Sequence, residues 1–254
     1  MEHQIHLDIQ RQPCNTTCGP TCLHALYRFY DDLIPLDQVI RETARLEEGG
    51  TLGVLLGCHA LRRGYDVTIC TFNLQVFDPT WFSQGGSAGP RVDLAAKLKL
   101  QAEARPRTKT ARASRAYVEF LSLGGQIRME DLTPSLQRLY LKESIPLLTG
   151  LSSTYLYHES REIGASSTPD DVRGDPSGHF VVLCGYNKEN RNIMIADPWL
   201  PNPLSTDHLY NVGLDRVICS ILLGIVTYDA NLLIIRPRTN PGRKDATLPN
   251  STAN

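Results

Sequence analysis

The sequence predicts an α+β fold, in which a helical front half is followed by a strand-rich back half. In the front half, apolar residues recur at helical spacing, as in "CGPTCLHALYRFY". The back half holds almost continuous apolar runs separated by polar turns, such as "HFVVLCGYN" and "IMIADP". That pattern is typical of a hairpin buried within a sheet.

The composition is that of a globular protein with a sizeable core. The chain has 254 residues, of which 41% are hydrophobic and 21% are charged. The net charge is −1, so no overall field favours nucleic acid as a partner. The longest apolar run, "VICSILLGIV", is too short to span a bilayer. The N-terminus lacks the pattern of a signal peptide, so we expect a cytoplasmic protein with reduced thiols.

The front-half elements follow from their periodicity and their end signals. Residues 4–10 alternate apolar and polar side chains and predict a short edge strand. The next predicted elements are a helix at 18–30 capped by Thr17, a helix at 35–50 ended by glycine, a helix at 51–64 capped by Thr51, and a strand at 65–72.

The back half is predicted in the same way. Its predicted elements are a helix at 131–143, a strand at 144–151, a polar loop at 160–178, the hairpin at 179–198, a helix at 212–226 and a strand at 231–237. We interpret residues 1–238 as one domain. Residues 239–254 are polar and are expected to form a disordered tail.

A helical insertion is predicted at about residues 88–124, after a flexible loop at 83–90. Between Lys97 and Arg115 it has seven Lys or Arg residues and one Glu, and Pro106 divides it into two helices. Two interpretations stand: a solvated helical pair with a basic outer face, or a docking surface for an acidic partner. We favour the first, because runs of charge usually face water.

Three cysteines, Cys14, Cys18 and Cys22, fall in the stretch "CNTTCGPTC". A cysteine nucleophile reacts as its thiolate, which the first turn of a helix favours through unpaired N–H groups and the helix dipole. Cys18 occupies that position, with Gly19 beside it to admit a substrate close to the backbone. Cys14 precedes the helix and Cys22 lies one turn inside it. On position alone, Cys18 is the candidate nucleophile.

A thiol nucleophile needs a base, and the base needs an orienting group. Of the seven histidines, His179 alone opens a buried strand directly after a polar loop. The returning strand of the hairpin ends at Asp197, so the hairpin can place this carboxylate beside His179. Asp197 would then hold one imidazole nitrogen and leave the other for the thiol.

Gln12 is the candidate oxyanion donor. Acyl transfer through a thiol builds negative charge on the carbonyl oxygen, and preorganised N–H donors stabilise that charge. Gln12 lies on the approach to the helix that begins at Cys18. Its side-chain amide and the backbone N–H of Cys18 could form the pair of donors.

These residues carry a resemblance. A Gln six positions before a helix-starting Cys-Gly, a Gly-His-Phe-Val-Val strand and an Ala-Asp-Pro return resemble the papain-like cysteine peptidases. More narrowly, they are similar to the double-glycine-leader, bacteriocin-processing peptidases and their stand-alone soluble relatives. The resemblance implies a papain-like fold with the nucleophile opening a central helix packed on a C-terminal antiparallel sheet. It also implies a peptide substrate, including a leader peptide.

Carried over by motif, Cys18 is the nucleophile, His179 the base and acid, Asp197 the orienting group and Gln12 the oxyanion donor. Thr17 stands where the family often has Asp, and the papain Cys-Gly-Ser-Cys-Trp signature is absent. The reaction class therefore carries over better than the substrate does.

The other two thiols have less specific interpretations. The Cys-x3-Cys-x3-Cys spacing does not match the usual zinc or iron–sulfur patterns, so we expect neither a metal nor a cofactor. Cys22 is predicted to lie in the core. Cys14 is a neighbour of Cys18 that could form a reversible disulfide with it.

The predicted function is hydrolysis of a peptide or amide bond through a thiol. Two alternatives stay open at this point. The same acyl-enzyme could pass its acyl group to an amine, which would make the protein an acyltransferase. The fold could also serve as a peptide-binding module that performs no chemistry.

Overall fold

The computed structural model describes residues 2–46, 50–83, 89–164 and 167–238. An eight-stranded sheet forms its centre, in the order β3-β2-β10-β4-β7-β8-β9, with β1 beside the far end of β7. The strands are β1 (Glu2–Gln4), β2 (Tyr65–Thr71), β3 (Gln126–Arg128), β4 (Leu147–Ser152), β5 (Glu162–Ile163), β6 (Thr168–Pro169), β7 (Gly178–Asn187), β8 (Asn192–Ala196), β9 (Leu209–Gly213) and β10 (Asn231–Pro237). Strands β5 and β6 form a separate small hairpin.

The α+β class is confirmed, with a sheet that draws on both halves of the chain. Strand β2 comes from the front half and pairs antiparallel with β10, the last strand. Strands β2 and β3 pair in parallel, while the remaining pairs of this sheet are antiparallel. The separation into a helical half and a sheet half therefore holds only in outline.

The helices are α1 (Cys18–Phe29), α2 (Leu36–Glu42), α3 (Gly53–Arg62), α4 (Leu94–Ala104), α5 (Lys109–Ser122), α6 (Pro134–Lys142), α7 (Ser153–Tyr157) and α8 (Leu214–Leu223). Two short 3-10 turns lie at Pro79–Trp81 and Gly224–Thr227. Helix α1 is buried continuously from Cys18 to Tyr27 and lies against β7. A helix that is buried on all sides is a core element, so α1 is the predicted central helix.

The β7–β8 hairpin places the start of one strand beside the end of the other. Val182 lies opposite Ala196, and the register shifts at a bulge between Leu183 and Gly185. The side chains of β7 are buried from His179 to Tyr186, which explains the almost continuous apolar sequence. Because β4 pairs with the other edge of β7, with Leu151 opposite His179, the histidine is held between two strands.

Several predicted boundaries are wrong. The first strand is Glu2–Gln4 rather than residues 4–10, although the Ile5 N–H still donates to the Cys184 carbonyl. Helix α2 ends at Glu42 rather than at glycine, because Thr43 turns to an extended conformation. The first two residues of the predicted helix at 212–226 belong to β9, and the helix itself, α8, begins at Leu214 and ends at Leu223.

Neither predicted threonine caps its helix. The Thr17 hydroxyl donates to the Cys14 carbonyl at 2.8 Å, and the Thr51 hydroxyl donates to the Ala44 carbonyl at 2.8 Å. The N–H of Gly53, at the start of α3, donates instead to Asp229 Oδ1 at 2.7 Å. That partner lies 176 residues away, so local sequence signals could not have identified it.

The insertion contains two helices, α4 and α5, separated by Pro106 as predicted. Helix α5 packs on α3, and a Cβ at Gly57 would lie 2.8 Å from the Phe120 ring. The exposed basic residues among residues 89–124 are Arg91, Lys97, Lys99, Arg105, Arg107 and Arg115. Part of the loop at 83–90 and the whole tail from Thr239 lie outside the described residues. No helix among the described residues is long and apolar enough to cross a membrane.

Candidate active site

Cys18 is the first residue of α1, at the N-terminal end of the central helix. The chain before it forms a turn, in which the Thr17 N–H donates to the Cys14 carbonyl at 3.1 Å. The Cys18 residue is 9% exposed, so it lies at the edge of the core. The first N–H groups of a helix lack intrahelical partners, which makes this end a favourable place for negative charge.

Gly19 has a different role from the one predicted. A Cβ at this position would lie 2.9 Å from Thr51 Cγ2 and 3.1 Å from Leu56 Cδ1. These atoms belong to the segment that leads into and forms α3. The glycine is therefore required for close packing of α1 on α3, and its open side faces the core rather than a substrate.

His179 and Asp197 lie together at the mouth of the β7–β8 hairpin. The Nε2 atom of His179 is 2.8 Å from Asp197 Oδ1. His179 is 7% exposed and Asp197 is fully buried. The spacing of the hairpin predicted this approach, and the register of β7 and β8 produces it.

The Asp197 carboxylate accepts four hydrogen bonds. Oδ1 accepts hydrogen bonds from the His179 ring and from the Trp199 backbone N–H, the latter at 2.9 Å. Oδ2 accepts hydrogen bonds from the hydroxyl groups of Tyr157 and Tyr210, each at 2.6 Å. A buried carboxylate is tolerated when its oxygens are satisfied by such donors, so the site holds Asp197 as an anion in one orientation.

The electrostatics of the pair favour its charged form. Burial by itself raises the pKa of Asp197, but the His179 charge and the hydrogen bonds from His179, Tyr157 and Tyr210 lower the pKa below its usual value. Burial lowers the pKa of His179, while the Asp197 charge and the interaction with Cys18 raise it, to about 10 in balance. The imidazolium–carboxylate pair is therefore stable at neutral pH.

The second ring nitrogen of His179, Nδ1, is not bonded to Asp197. Cys18 lies close enough to His179 to contribute to its raised pKa. Because Nε2 is bonded to Asp197, Nδ1 is the ring nitrogen left for the thiol. His179 therefore interacts with both Cys18 and Asp197.

Gln12 lies next to these residues. Its backbone N–H donates to the Pro198 carbonyl at 2.9 Å, which ties the N-terminal segment to the residue after Asp197. Its side-chain Oε1 is buried and has no hydrogen-bond partner among the described residues. The structure therefore brings all four predicted site residues to one end of α1.

A cleft of about 360 Å³ opens beside these residues, and we call it the entrance cleft. It is lined by Arg11, Gln12, Pro13, Cys14, Asn15 and Trp199. The Trp199 ring stands edge-on to His179, with centroids 6.3 Å apart, and to Tyr157, with centroids 5.1 Å apart. Trp199 is therefore both a wall of the entrance cleft and a cover over the imidazole.

Sequence reasoning missed Tyr157, Tyr210 and Trp199. Trp199 had a local signal, since it lies two residues after Asp197, where its backbone N–H can turn back to the carboxylate. Tyr210 is reached through β9, in which it lies opposite Ile195. Tyr157 is the last residue of the short helix after β4. Neither tyrosine had a recognisable motif.

The other cysteines differ sharply from one another. The Cys22 thiol is fully buried and donates to the Phe180 carbonyl at 3.2 Å, and burial raises its pKa well above the usual value. The prediction that Cys22 lies in the core is confirmed. Cys14 is exposed at the entrance cleft, and hydrogen bonds from Thr16 lower its pKa. All seven cysteines are free thiols, and among the described residues no group of three or more His, Cys, Asp or Glu side chains could hold a metal.

Comparison with solved structures gives matches to cysteine peptidases. A proposed C39-like peptidase from Bacillus anthracis is 11% identical, with a TM-score of 0.50 over 94% of this chain and 100% of that one. A double glycine motif protease from an AMS/PCAT transporter, solved with its leader peptide, is 12% identical, with a TM-score of 0.44 over 93% and 95% of the two chains. Xylellain, a cysteine protease from Xylella fastidiosa, is 14% identical, with a TM-score of 0.43 over 94% and 86%.

The likeness to the Bacillus anthracis structure shows the fold, which is the papain-like α+β fold of C39-like peptidases. No protein-family model matches this sequence, and no curated protein matches it. At such low identity the likeness shows the fold alone, because proteins with one fold can have different chemistry.

Proposed function

We propose that this protein is a cysteine peptidase-like hydrolase that cleaves a peptide or amide bond through Cys18. The observation that carries the proposal is the 2.8 Å hydrogen bond between the His179 imidazole and the buried Asp197 carboxylate, with Cys18 close enough to raise the pKa of the same imidazole. A nucleophile, a base and an orienting group in series are the parts that thiol acyl transfer requires.

The chemistry follows from this arrangement. His179 already holds the proton that Cys18 has given up, and the Cys18 thiolate attacks the substrate carbonyl to give a tetrahedral oxyanion. The protonated His179 then gives its proton to the leaving amine, and the C–N bond breaks. His179 next takes a proton from water, which attacks the thioester and releases the acid and the free thiol. Asp197 keeps the imidazole aligned and compensates its positive charge throughout.

The oxyanion is assigned to two N–H donors, the side-chain amide of Gln12 and the backbone N–H of Cys18. The position of Gln12 beside Pro198 and in the wall of the entrance cleft supports this assignment. The Gln12 Oε1 atom has no hydrogen-bond partner among the described residues, so no bond of this atom holds the side-chain amide away from a substrate oxygen. Loss of one such donor typically slows turnover by about 100-fold or more.

A pooled set of fluorogenic peptides, followed by product mass, tests the proposal. We expect cleavage by the wild type and none by Cys18→Ala, with Cys219→Ala as the matched control because Cys219 is an exposed thiol. Turnover by Cys18→Ala at the wild-type rate would overturn the proposal. Repeating the assay with added amine shows whether water or the amine accepts the acyl group. An amide product in place of the acid would identify an acyltransferase.

A further inference from the structure

The entrance cleft is positively charged. Arg11 is the charged side chain among its lining residues, and it makes no ion pair with any residue in the ranges 2–46, 50–83, 89–164 and 167–238. The charge of Arg45 adds a smaller influence, since it lowers the pKa of the Cys14 thiol less than the hydrogen bonds from Thr16 and Thr17 do. The wall of the cleft therefore has cationic charge without a described counterion.

The buried Asp197 carboxylate does not neutralise the positive charge of the entrance cleft. Asp197 is fully buried, and its carboxylate is occupied by four donors, one of which is His179. The remaining lining side chains are the neutral Gln12, Asn15, Pro13 and Trp199, together with Cys14. An acidic group that enters the cleft would thus meet a guanidinium and two amides, and no carboxylate from the lining residues.

The position of Trp199 indicates which part of a substrate occupies the cleft. This step rests on the proposed function, in which His179 gives its proton to the leaving amine. The leaving nitrogen must then lie against the His179 ring, and Trp199 stands edge-on to that ring at 6.3 Å while lining the cleft. The segment that follows the scissile bond accordingly passes over Trp199 into the entrance cleft.

We propose that the entrance cleft selects an acidic side chain in the substrate segment that follows the scissile bond, and that Arg11 is the specificity-determining residue. A guanidinium is suited to this task because it presents a planar fork of donors that fits a carboxylate. Charge complementarity at an exposed site contributes modestly to affinity and more to selection between partners.

The first test measures the charge of the cleft without a peptide substrate. Iodoacetate and iodoacetamide alkylate thiolates with loss of iodide and differ mainly in that iodoacetate carries a carboxylate. We expect Arg11→Gln to lower the iodoacetate-to-iodoacetamide rate ratio at Cys14 and Cys18 by about two- to fivefold. The matched control is Lys99→Gln, which removes one charge from a separate groove between α4 and α5. The wild-type ratio should also fall as salt is added.

The second test uses peptides that differ only in the residue after the scissile bond, which is Glu, Gln or Lys. We expect the wild type to prefer Glu over Gln by about two- to fivefold in kcat/KM, and Arg11→Glu to invert the order of Glu and Lys. The Glu-to-Gln ratio cancels any general effect of the substitution on turnover.

The outcomes separate this inference from the proposed function. Equal alkylation ratios in wild type and Arg11→Gln would overturn the acid selection, whether or not peptides are cleaved. Reactive Cys18 and cleaved peptides without a preference for Glu would overturn it while leaving the hydrolase intact. An unreactive Cys18 would overturn the hydrolase, and the ratio at the exposed Cys14 would still decide whether the cleft is cationic.

Discussion

The hydroxyl of Tyr157 donates to Asp197 Oδ2 at 2.6 Å, from a residue 40 positions earlier in the chain. Tyr210 donates to the same oxygen at 2.6 Å. Both phenols are themselves buried, and burial together with the Asp197 charge raises the pKa of each well above its usual value. They therefore act as permanent donors that hold the carboxylate ionised and in place for His179.

Removing one of these donors should weaken the orienting group without removing it. We expect Tyr157→Phe or Tyr210→Phe to lower kcat/KM by about tenfold, the usual effect of losing a hydrogen bond to a charged group. The pKa of Asp197 should rise, so the acid limb of the pH profile should move to higher pH. Tyr155→Phe, on the exposed face of the same helix, is the matched control.

The shift of the acid limb is the decisive readout for this prediction. A loss of packing alone would lower activity at all pH values and leave the limb in place. The two substitutions should also be non-additive, since both donors act on one oxygen. An unchanged limb in both variants would contradict the assigned role of the tyrosines.

The charge pair predicts a pH window for stability. His179 has a pKa raised to about 10 in the fold, against about 6.5 in the unfolded chain. The contribution of His179 to the free energy of unfolding is therefore fully present below about pH 6.5 and is lost as the pH rises through about 10. Asp197 has a lowered pKa, so its contribution is present above about pH 4 and is lost as the pH falls through its folded value.

Urea unfolding of wild type and His179→Gln checks this window. The difference in free energy of unfolding should be about 1–3 kcal/mol at pH 6 and should shrink toward pH 10, because the neutral amide does not titrate. His158→Gln, at an exposed helix end, is the matched control. A difference that stays constant with pH would show that His179 is not protonated preferentially in the fold.

Asp229 differs from Asp197, because its pKa in the fold is raised and not lowered. Burial raises its pKa to about 7, although the hydrogen bond from the Gly53 N–H, the charge of Lys109 and Asn231 lower it. The folded pKa lies above the unfolded value of about 3.9, so Asp229 stabilises the fold most at low pH, and this contribution is lost as the pH rises through about 7.

The Asp229→Asn variant retains an oxygen that can accept the bond from Gly53 while removing the titration. The free energy of unfolding of the variant, minus that of wild type, should increase by about 2 kcal/mol as the pH rises from 5 to 8, measured by urea unfolding. If the charge stabilises the start of α3 through the helix dipole instead, the variant would lose stability over the same range.

The sequence by itself determined the elements that depend on near neighbours. The period of the apolar residues identified α1, and the paired apolar runs identified the β7–β8 hairpin. Closing a hairpin brings its open ends together, so Asp197 could be placed beside His179 from the sequence alone. The position of Cys18 at the start of a helix followed from Pro20 and the apolar spacing after it.

Only the tertiary structure decided what surrounds these residues. Tyr157 and Tyr210 reach Asp197 from a helix after β4 and from β9, and the cap of α3 comes from Asp229, 176 residues away from Gly53. Gly19, assigned to substrate approach, serves the packing of α1 on α3. Such contacts depend on which strands pair and in what register, and no local period or end signal encodes that choice.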